Sequence, residues 1–256
     1  MSSAPFDLSG KVALVTGGNG GIGKGIALGL ARAGANIAVA ARNQDKSVGA
    51  VAELEALGIQ AINIRCDVTD GDDVDAAVAD CVEQFGGLDI VVNNSGINVR
   101  KLPHELDLTE WQTVIDVNLT GVFLMSKAAY PEMVKRGGGK VINIGSMMSI
   151  FAHETLAPYA ASKGGVVQFT KACASAWAKD NIQVNTIMPG WIATDMTDTL
   201  RINAPERYET IRTRTPAQRW GRPDELAGTA VFLATSASDF VTGTAIPVDG
   251  GYSIQS

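Results

Sequence analysis

The residues best able to do chemistry lie in one stretch. Tyr159 and Lys163 stand four apart in Tyr159-Ala-Ala-Ser-Lys163, inside a helical pattern running from about Leu156 to Lys179. That spacing puts both side chains on one helix face. A free tyrosine titrates at about pH 10, too high for efficient base work at neutral pH. A lysine ammonium beside it would favour the phenolate. Ser146 sits just past the apolar run Lys140–Ile144. If that run is a strand of an open α/β sheet, its carboxyl end is where ligands bind. The serine hydroxyl there could hold and polarise a substrate oxygen while Tyr159 moves the proton. Taken alone, a Tyr-x-x-x-Lys pair is commonly only a helix surface, so the pair needs its surroundings.

A second cluster lies near the start. The run Val12–Thr16 leads into Thr16-Gly-Gly-Asn-Gly-Gly-Ile-Gly23, with Gly17, Gly21 and Gly23 spaced G-x-x-x-G-x-G. Glycines here permit positive φ and let the backbone approach a pyrophosphate, and a helix starting near Ile22 would offer free N–H groups to it. Two other readings exist. One is a tight strand–helix turn that binds nothing. The other is a nucleoside-triphosphate loop, because Gly18–Gly25 reads GNGGIGKG; its last position is Gly25, so the hydroxyl that would bind magnesium is missing.

The second strand ends in Ala41-Arg42-Asn43. An acid that would bind a ribose 2′-hydroxyl is absent there, and Arg42 could neutralise a 2′-phosphate in charge-assisted geometry. The spacing therefore predicts NADP(H) in preference to NAD(H), with a solvated surface arginine as the bland reading. Asp45 comes at nearly the right count but past the strand end, where an acid is expected to cap the next helix.

The elements that must position these groups follow a regular rhythm. Apolar runs at Val12–Thr16, Asn36–Ala41, Ala61–Cys66, Asp89–Asn93, Lys140–Ile144, Gln183–Met188 and Thr244–Val248 alternate with helical patterns at Ile22–Ala33, Lys46–Leu57, Val74–Phe85 and Trp111–Lys135. Near-continuous apolar strands joined by helices predict an α/β fold: one Rossmann-type, doubly wound parallel sheet of about seven strands flanked by helices. With no linker or repeat, residues 1–256 read as a single dinucleotide-binding and catalytic domain. The irregular stretch 194–223 reads as a substrate lid or a helical insertion.

Composition narrows the function class. The 256 residues are 46% apolar and 19% charged, with a formal net charge of −6. There is no long basic run, so nucleic acid is not an expected partner. No apolar stretch approaches the roughly 20 residues of a membrane span, and Met1–Gly10 lacks the charged and apolar regions of a signal peptide. Cys66, Cys81 and Cys173 are scattered and odd in number, which fits a reducing, cytoplasmic setting. His104 and His153 are too few for a metal cluster, and no metal is expected. The absence of G-x-S-x-G argues against a serine hydrolase.

Taken together, these motifs resemble those of the short-chain dehydrogenases/reductases. The resemblance covers the whole chain: the glycine turn, Asn93-Asn-Ser-Gly96, Asn118 in DVNLTG, Ser146, Tyr159, Lys163 and Pro189-Gly190. It implies an enzyme interconverting a secondary alcohol and a ketone by a Ser146–Tyr159–Lys163–Asn118 mechanism. Asn118 would hold a water in a proton relay from Tyr159 past the cofactor ribose and Lys163. It also implies cofactor contacts from Gly17, Asn19, Gly21, Ile22, Gly23, Arg42, Asp67, Val68, Asn94, Gly96, Tyr159, Lys163, Pro189, Gly190, Ile192 and Thr194. Asp67 would sit by the adenine, Thr194 by the carboxamide, and Asn93 would steady the sheet. Similar proteins are commonly homotetramers. Two positions depart from the family pattern: Ser95 where alanine is usual, and Gly145 where serine is frequent.

For substrate, the local pattern around Ser146 and at Pro216–Glu225 resembles sugar-acid members of the family, the gluconate 5-dehydrogenases and 2-deoxygluconate 3-dehydrogenases. Arg100, just after the Asn93–Gly96 motif, could reach a substrate carboxylate; an ordinary surface arginine is the alternative. The expected partner is thus a small polar molecule, with substrate contacts from Ser146, Tyr159 and Arg100. A 3-oxoacyl thioester (acyl-carrier-protein) reductase is the main rival function, and a non-catalytic dinucleotide-binding regulator is the rival of another class.

Overall fold

A computed structural model describes residues 5–194, 197 and 202–255. Seven parallel strands form one sheet in the order β3-β2-β1-β4-β5-β6-β7. They are β1 (Val12–Thr16), β2 (Asn36–Ala41), β3 (Ala61–Arg65), β4 (Ile90–Asn93), β5 (Gly139–Ile144), β6 (Ile182–Pro189) and β7 (Ala245–Val248). The helices are α1 (Gly21–Arg32), α2 (Gln44–Glu55), α3 (Gly71–Phe85), α4 (Leu108–Ile115), α5 (Gly121–Lys135), α6 (Ala157–Trp177), α7 (Pro205–Arg214) and α8 (Ala227–Ala234). Among the described residues no helix is long and apolar enough to cross a membrane. The doubly wound sheet expected from the strand–helix rhythm is the fold of the chain, with β1 and β2 at the expected bounds and the other strands shifted by one residue at one or both ends.

Successive strand residues feed opposite cores, as the two-residue period of a strand requires. Ala13, Val15, Ile37, Val39, Ile90 and Val92 pack with Ile26 and Leu30 of α1 and Leu233 of α8. Val12, Leu14, Ala38 and Val91 face the other way, against Val74 of α3, Met125 and Met133 of α5 and Ala174 of α6. The chain leaves β1 toward β2 and β3, then returns to β4 on the other side of β1. This reversal opens a crevice over the carboxyl ends of β1 and β4, the place where such sheets bind ligands.

The sequence pattern ran Trp111–Lys135 as one helix. The structure starts it at Leu108, capped by reciprocal Asp107 and Glu110 hydrogen bonds, and interrupts it with a π-turn at Asp116–Thr120. Hydrophobic spacing cannot distinguish such a turn from ordinary helix. Asp45 is likewise not the cap of α2. It lies in the first turn, and the Asn43 side chain accepts from the Lys46 N–H at 2.9 Å. Of the expected lid 194–223, residues 195–196 and 198–201 lie outside the described residues. The remainder of that stretch contains α7, tied back by Trp220, whose indole donates to the Tyr208 carbonyl at 3.3 Å while the two rings stack at 4.5 Å.

Candidate active site

The crevice over the sheet is a cavity of about 730 Å³. Its two ends are built by different parts of the chain.

At one end the turn after β1 wraps into α1. Gly17 and Gly21 adopt φ of +63° and +49°, a region costly for other residues. Helix α1 has Gly20 at its N-cap, with no side-chain cap and no acid in its first turn, whereas α2, α3 and α4 are capped by Asn43, Asp70 and Asp107. The N–H groups and positive end of α1 are thereby left for an anion. Asn94 fixes this turn, its Nδ2 donating to the carbonyls of Thr16 (3.0 Å) and Gly17 (3.3 Å). Thr16 Oγ1 accepts from the backbone N–H groups of Asn94 (2.9 Å) and Ser95 (3.0 Å), joining the ends of β1 and β4. Asn19 donates to the Asn43 carbonyl and the Ser47 hydroxyl, both at 3.1 Å.

Lys24, the lysine of the triphosphate-loop reading, points away from this turn and pairs with Glu53 of α2 at 2.5 Å. Gly25 packs against the backbone of Pro223. A phosphate-cradling lysine is thus not formed, whereas a backbone cradle open to a pyrophosphate is. The residues fit a dinucleotide.

Gly17, Asn19, Gly21, Ile22, Arg42, Asp67, Val68, Asn94, Gly96, Pro189, Gly190, Ile192 and Thr194 all line the cavity, as do Ser146, Tyr159, Lys163 and Arg100. Gly23 does not line it. It is buried behind the turn, where an added Cβ would strike the Gly17 carbonyl and the Asn94 amide. Thr194 lies across from Gly21, its Cγ2 3.4 Å from where a Cβ there would stand. Arg42, largely exposed, lies 3.7 Å from Asp67, a weak pair that leaves the guanidinium open to other anions. Against the opposing effect of burial, hydrogen bonds from Thr69 and the charge of Arg42 hold the Asp67 carboxyl below its usual range. Lys46, which no motif singled out, also reaches this end, close to Gly20.

In the middle of the cavity stand Ser146, Tyr159 and Lys163. Ser146 follows β5 and Gly145 in extended backbone, and its Oγ accepts from the Met148 N–H at 3.1 Å. Ser146 and Tyr159 line the same cavity, near enough for the serine hydroxyl to act on the phenol. Burial pushes the Tyr159 phenol up; the Ser146 hydroxyl and the charge of Arg100 pull it down. Arg100, a residue that spacing alone did not connect with Tyr159, thus also acts on the phenol. The Lys163 ammonium donates to the Ile144 carbonyl at 2.7 Å and lies 5.8 Å from the Tyr159 ring centre. Burial lowers it to about 8.

Residues around this trio position it. Ser149 Oγ accepts from the Ser146 N–H at 3.2 Å and donates to the Lys163 carbonyl at 2.8 Å, tying the post-β5 loop to α6. A Cβ on Gly145 would meet the Thr186 methyl at 2.8 Å and Ser149 Oγ at 3.1 Å, which accounts for glycine at that departure from the family pattern. Asn93 donates to Ser126 (3.0 Å) and Asn143 (2.8 Å), Asn143 to Thr170 (2.8 Å), and Thr170 meets Thr186 at 2.7 Å. This buried chain crosses β4, β5 and β6 and reaches α6 beneath Ser146, Tyr159 and Lys163.

Asn118 does not line the cavity. It is fully buried in the π-turn, accepting from the Ile97 N–H (2.8 Å) and donating to the Ile97 carbonyl (2.9 Å) and Ser162 Oγ (3.1 Å). Its amide braces the segment after β4 against α6, one layer behind Gly96.

The far end of the cavity is lined by Arg100, Phe151, His153, Trp191, Arg214 and Tyr252. Burial and the charge of Arg207 both lower the Arg100 guanidinium from its ordinary value. His153 Nε2 stands 2.8 Å from Arg207, and burial together with Arg207 and Arg100 pulls the imidazole down. Sequence reasoning missed Arg214 and Tyr252, which reach the cleft only through folding of the C-terminal third, and Arg207, which stands against His153.

A family model described as enoyl-(acyl carrier protein) reductase matches residues 17–253. A 2-dehydro-3-deoxy-D-gluconate 5-dehydrogenase of Formosa agariphila is 44% identical over 252 residues, 98% of this chain and 96% of the relative. A 5-keto-D-gluconate 5-reductase of Escherichia coli K12 is 45% identical over 246 residues, 96% of each chain. The solved structure of a gluconate 5-dehydrogenase from Burkholderia cenocepacia J2315, in complex with NADP and tartrate, matches at a TM-score of 0.94 and 40% identity over 98% of both chains. With its motifs gathered in one crevice and its whole length matched by such relatives, the chain belongs to the short-chain dehydrogenase/reductase family and is an oxidoreductase acting on CH–OH groups.

Proposed function

We propose that the protein is an NADP(H)-preferring oxidoreductase that interconverts a secondary alcohol and a ketone on a sugar acid. The observation that carries this reading is that Ser146, Tyr159 and Lys163 line the same cleft as the uncapped N-terminus of α1 and the cationic far end. A bound nicotinamide supplies or accepts the hydride. In the reductive direction Tyr159 gives its phenolic proton to the carbonyl oxygen, and the Ser146 hydroxyl donates a hydrogen bond to that oxygen as charge develops. Lys163 lends positive charge beside the phenol and would hold the nicotinamide ribose. Asn118 keeps Ile97 and Ser162 in register at the exit of the proton, where the relay water is expected. Arg42, helped by Lys46, would hold a 2′-phosphate, and the relatives' NADP complex supports that choice.

The cationic far end, to which Arg100 contributes, would attract a carboxylate, in keeping with the relatives that act on gluconate derivatives. The test follows absorbance near 340 nm with NADPH and a panel of keto sugar acids, simple ketones and acetoacetyl thioesters. Turnover of a keto acid, lost in Arg100→Ala but kept in surface-arginine controls, is expected. Turnover of thioesters alone would replace the sugar-acid reading with the acyl-chain one. The same reading carries residues 1–256 as one catalytic domain with a lid over 194–223, working in the cytoplasm as a homotetramer. Exposed Trp111 and Phe123 on α4 and α5 support an interface there, and light scattering of the purified protein measures the assembly.

A further inference from the structure

The segment 205–225 is rich in arginine, and most of that charge is neutralised locally. Arg212 pairs with Glu209, Arg219 with Glu225 and Arg222 with Asp224. Arg214 differs. Among the described residues no carboxylate stands within ion-pair distance of it, and it lines the cavity. Its Nη1 donates to the Tyr252 hydroxyl at 2.9 Å, and its guanidinium carbon lies 4.5 Å from the centre of the Tyr252 ring. Tyr252 is itself buried and packed edge-on against Phe151 and Trp191. The guanidinium is thus held by a hydrogen bond and a cation–π contact. These leave the Nε–Nη2 edge, the fork that matches a carboxylate.

Arg100 occupies a different position, close enough to Tyr159 to act on its phenol. Among the described residues the acid lining this cavity is Asp67, and it sits at the opposite end beside Arg42. A sugar acid oxidised far along its chain carries its carboxylate several bonds from the reacting carbon, so an anchor for it must stand apart from Tyr159.

We infer that Arg214, fixed by Tyr252, is a specificity-determining residue that binds the substrate carboxylate at the C-terminal wall of the cleft, while Arg100 serves the reacting end. The inference rests on the sugar-acid reading above. It assigns the choice between acidic and neutral substrates to α7 and the C-terminal tail, outside the family's motifs.

The experiment compares a keto sugar acid with its uncharged keto sugar alcohol in the wild type, Arg214→Met, Arg214→Lys and Tyr252→Phe. Methionine keeps much of the aliphatic packing and removes the charge. The preference in kcat/KM for the acid over the neutral substrate is expected to fall about tenfold or more in Arg214→Met, through KM. Arg214→Lys should recover part of it, and Tyr252→Phe should lose less. An unchanged preference, or an equal loss on both substrates, overturns the proposal. If the wild type turns over no keto acid, the sugar-acid reading fails separately, and tartrate binding then decides the role of Arg214. Tryptophan fluorescence, with Trp191 in the cavity wall, reports it. A tartrate response lost in Arg214→Met retains the anion anchor; an unchanged response, or none in the wild type, overturns it.

Discussion

The two ends of the cleft are made differently. The cofactor end is made mainly of backbone: glycines in positive-φ conformations, the uncapped start of α1, and side chains such as Asn94 and Thr16 whose polar atoms are bonded to protein. The substrate end is made of long side chains on unrelated elements: Arg100 after β4, His153 after β5, Arg214 at the end of α7 and Tyr252 in the tail. The first end presents shape and fixed dipoles, which suit one constant ligand. The second presents movable charge and aromatic surface, which can be exchanged without disturbing the sheet. Ser146, Tyr159 and Lys163 stand at the joint between them.

Three experiments would break or sharpen this contrast. The largest effect is expected for Tyr159→Phe, which removes the transferable proton and should lower kcat by about 10²- to 10⁴-fold. NADPH titration by fluorescence should give nearly the wild-type Kd, because the cofactor end is untouched. Near-normal turnover would remove Tyr159 from the mechanism, and lost cofactor binding would show that the two ends are not separable.

Lys163 gives the next effect, through pH. Its amine titrates at about 8 in the fold, lowered by burial, against 10.5 for the free group. Below about pH 8 both states are protonated and the fold carries the full cost of a buried ammonium. Between about 8 and 10.5 the unfolded chain binds the extra proton, so stability rises with pH. The gain is at most about 3 kcal/mol. Urea midpoints for the wild type and Lys163→Met across this range should diverge, with the wild type gaining on the variant; parallel curves would place the ammonium in a wetter site.

Arg42→Ala should have the smallest effect. It removes the exposed cation at an otherwise backbone-built end, and the ratio of catalytic efficiencies with NADPH and NADH should fall about tenfold. An unchanged ratio would hand the 2′-phosphate to Lys46 or leave no preference at all.

The same contrast governs what could be read from the sequence. Strand periodicity, the Gly17–Gly23 turn and the Tyr159/Lys163 pair are local patterns, and local patterns survive in a string of residues. Asn94 was legible through its motif. Its job of holding the turn was not, because the partner carbonyls come from β1, more than seventy positions away. Ser149 was missed because its two hydrogen bonds need β5 and α6 packed together. Arg214 and Tyr252 stand far apart in the chain and meet only when the C-terminal tail crosses the cleft. The expectation that Lys163 is the cation governing Tyr159 came from helix spacing. The fold adds Arg100 from another element, and no spacing rule connects residues 100 and 159.

The π-turn at Asp116–Thr120 also bears on how this chain can change length. A π-turn uses one residue more than an α-turn, so the segment carries what amounts to an insertion absorbed without breaking the helix. The slip keeps Val114 and Asn118 on the same buried side as Val122, Ser126 and Met133. Deleting a single residue here would restore ideal helix geometry and rotate one half by about 100° against the other. Either the Asn118 amide would leave Ile97 and Ser162, or the row ending at Met133 would leave the core. An alignment gap of one position is therefore tolerable in the loops on either side of this helix and damaging within it, although the helix itself would become more regular.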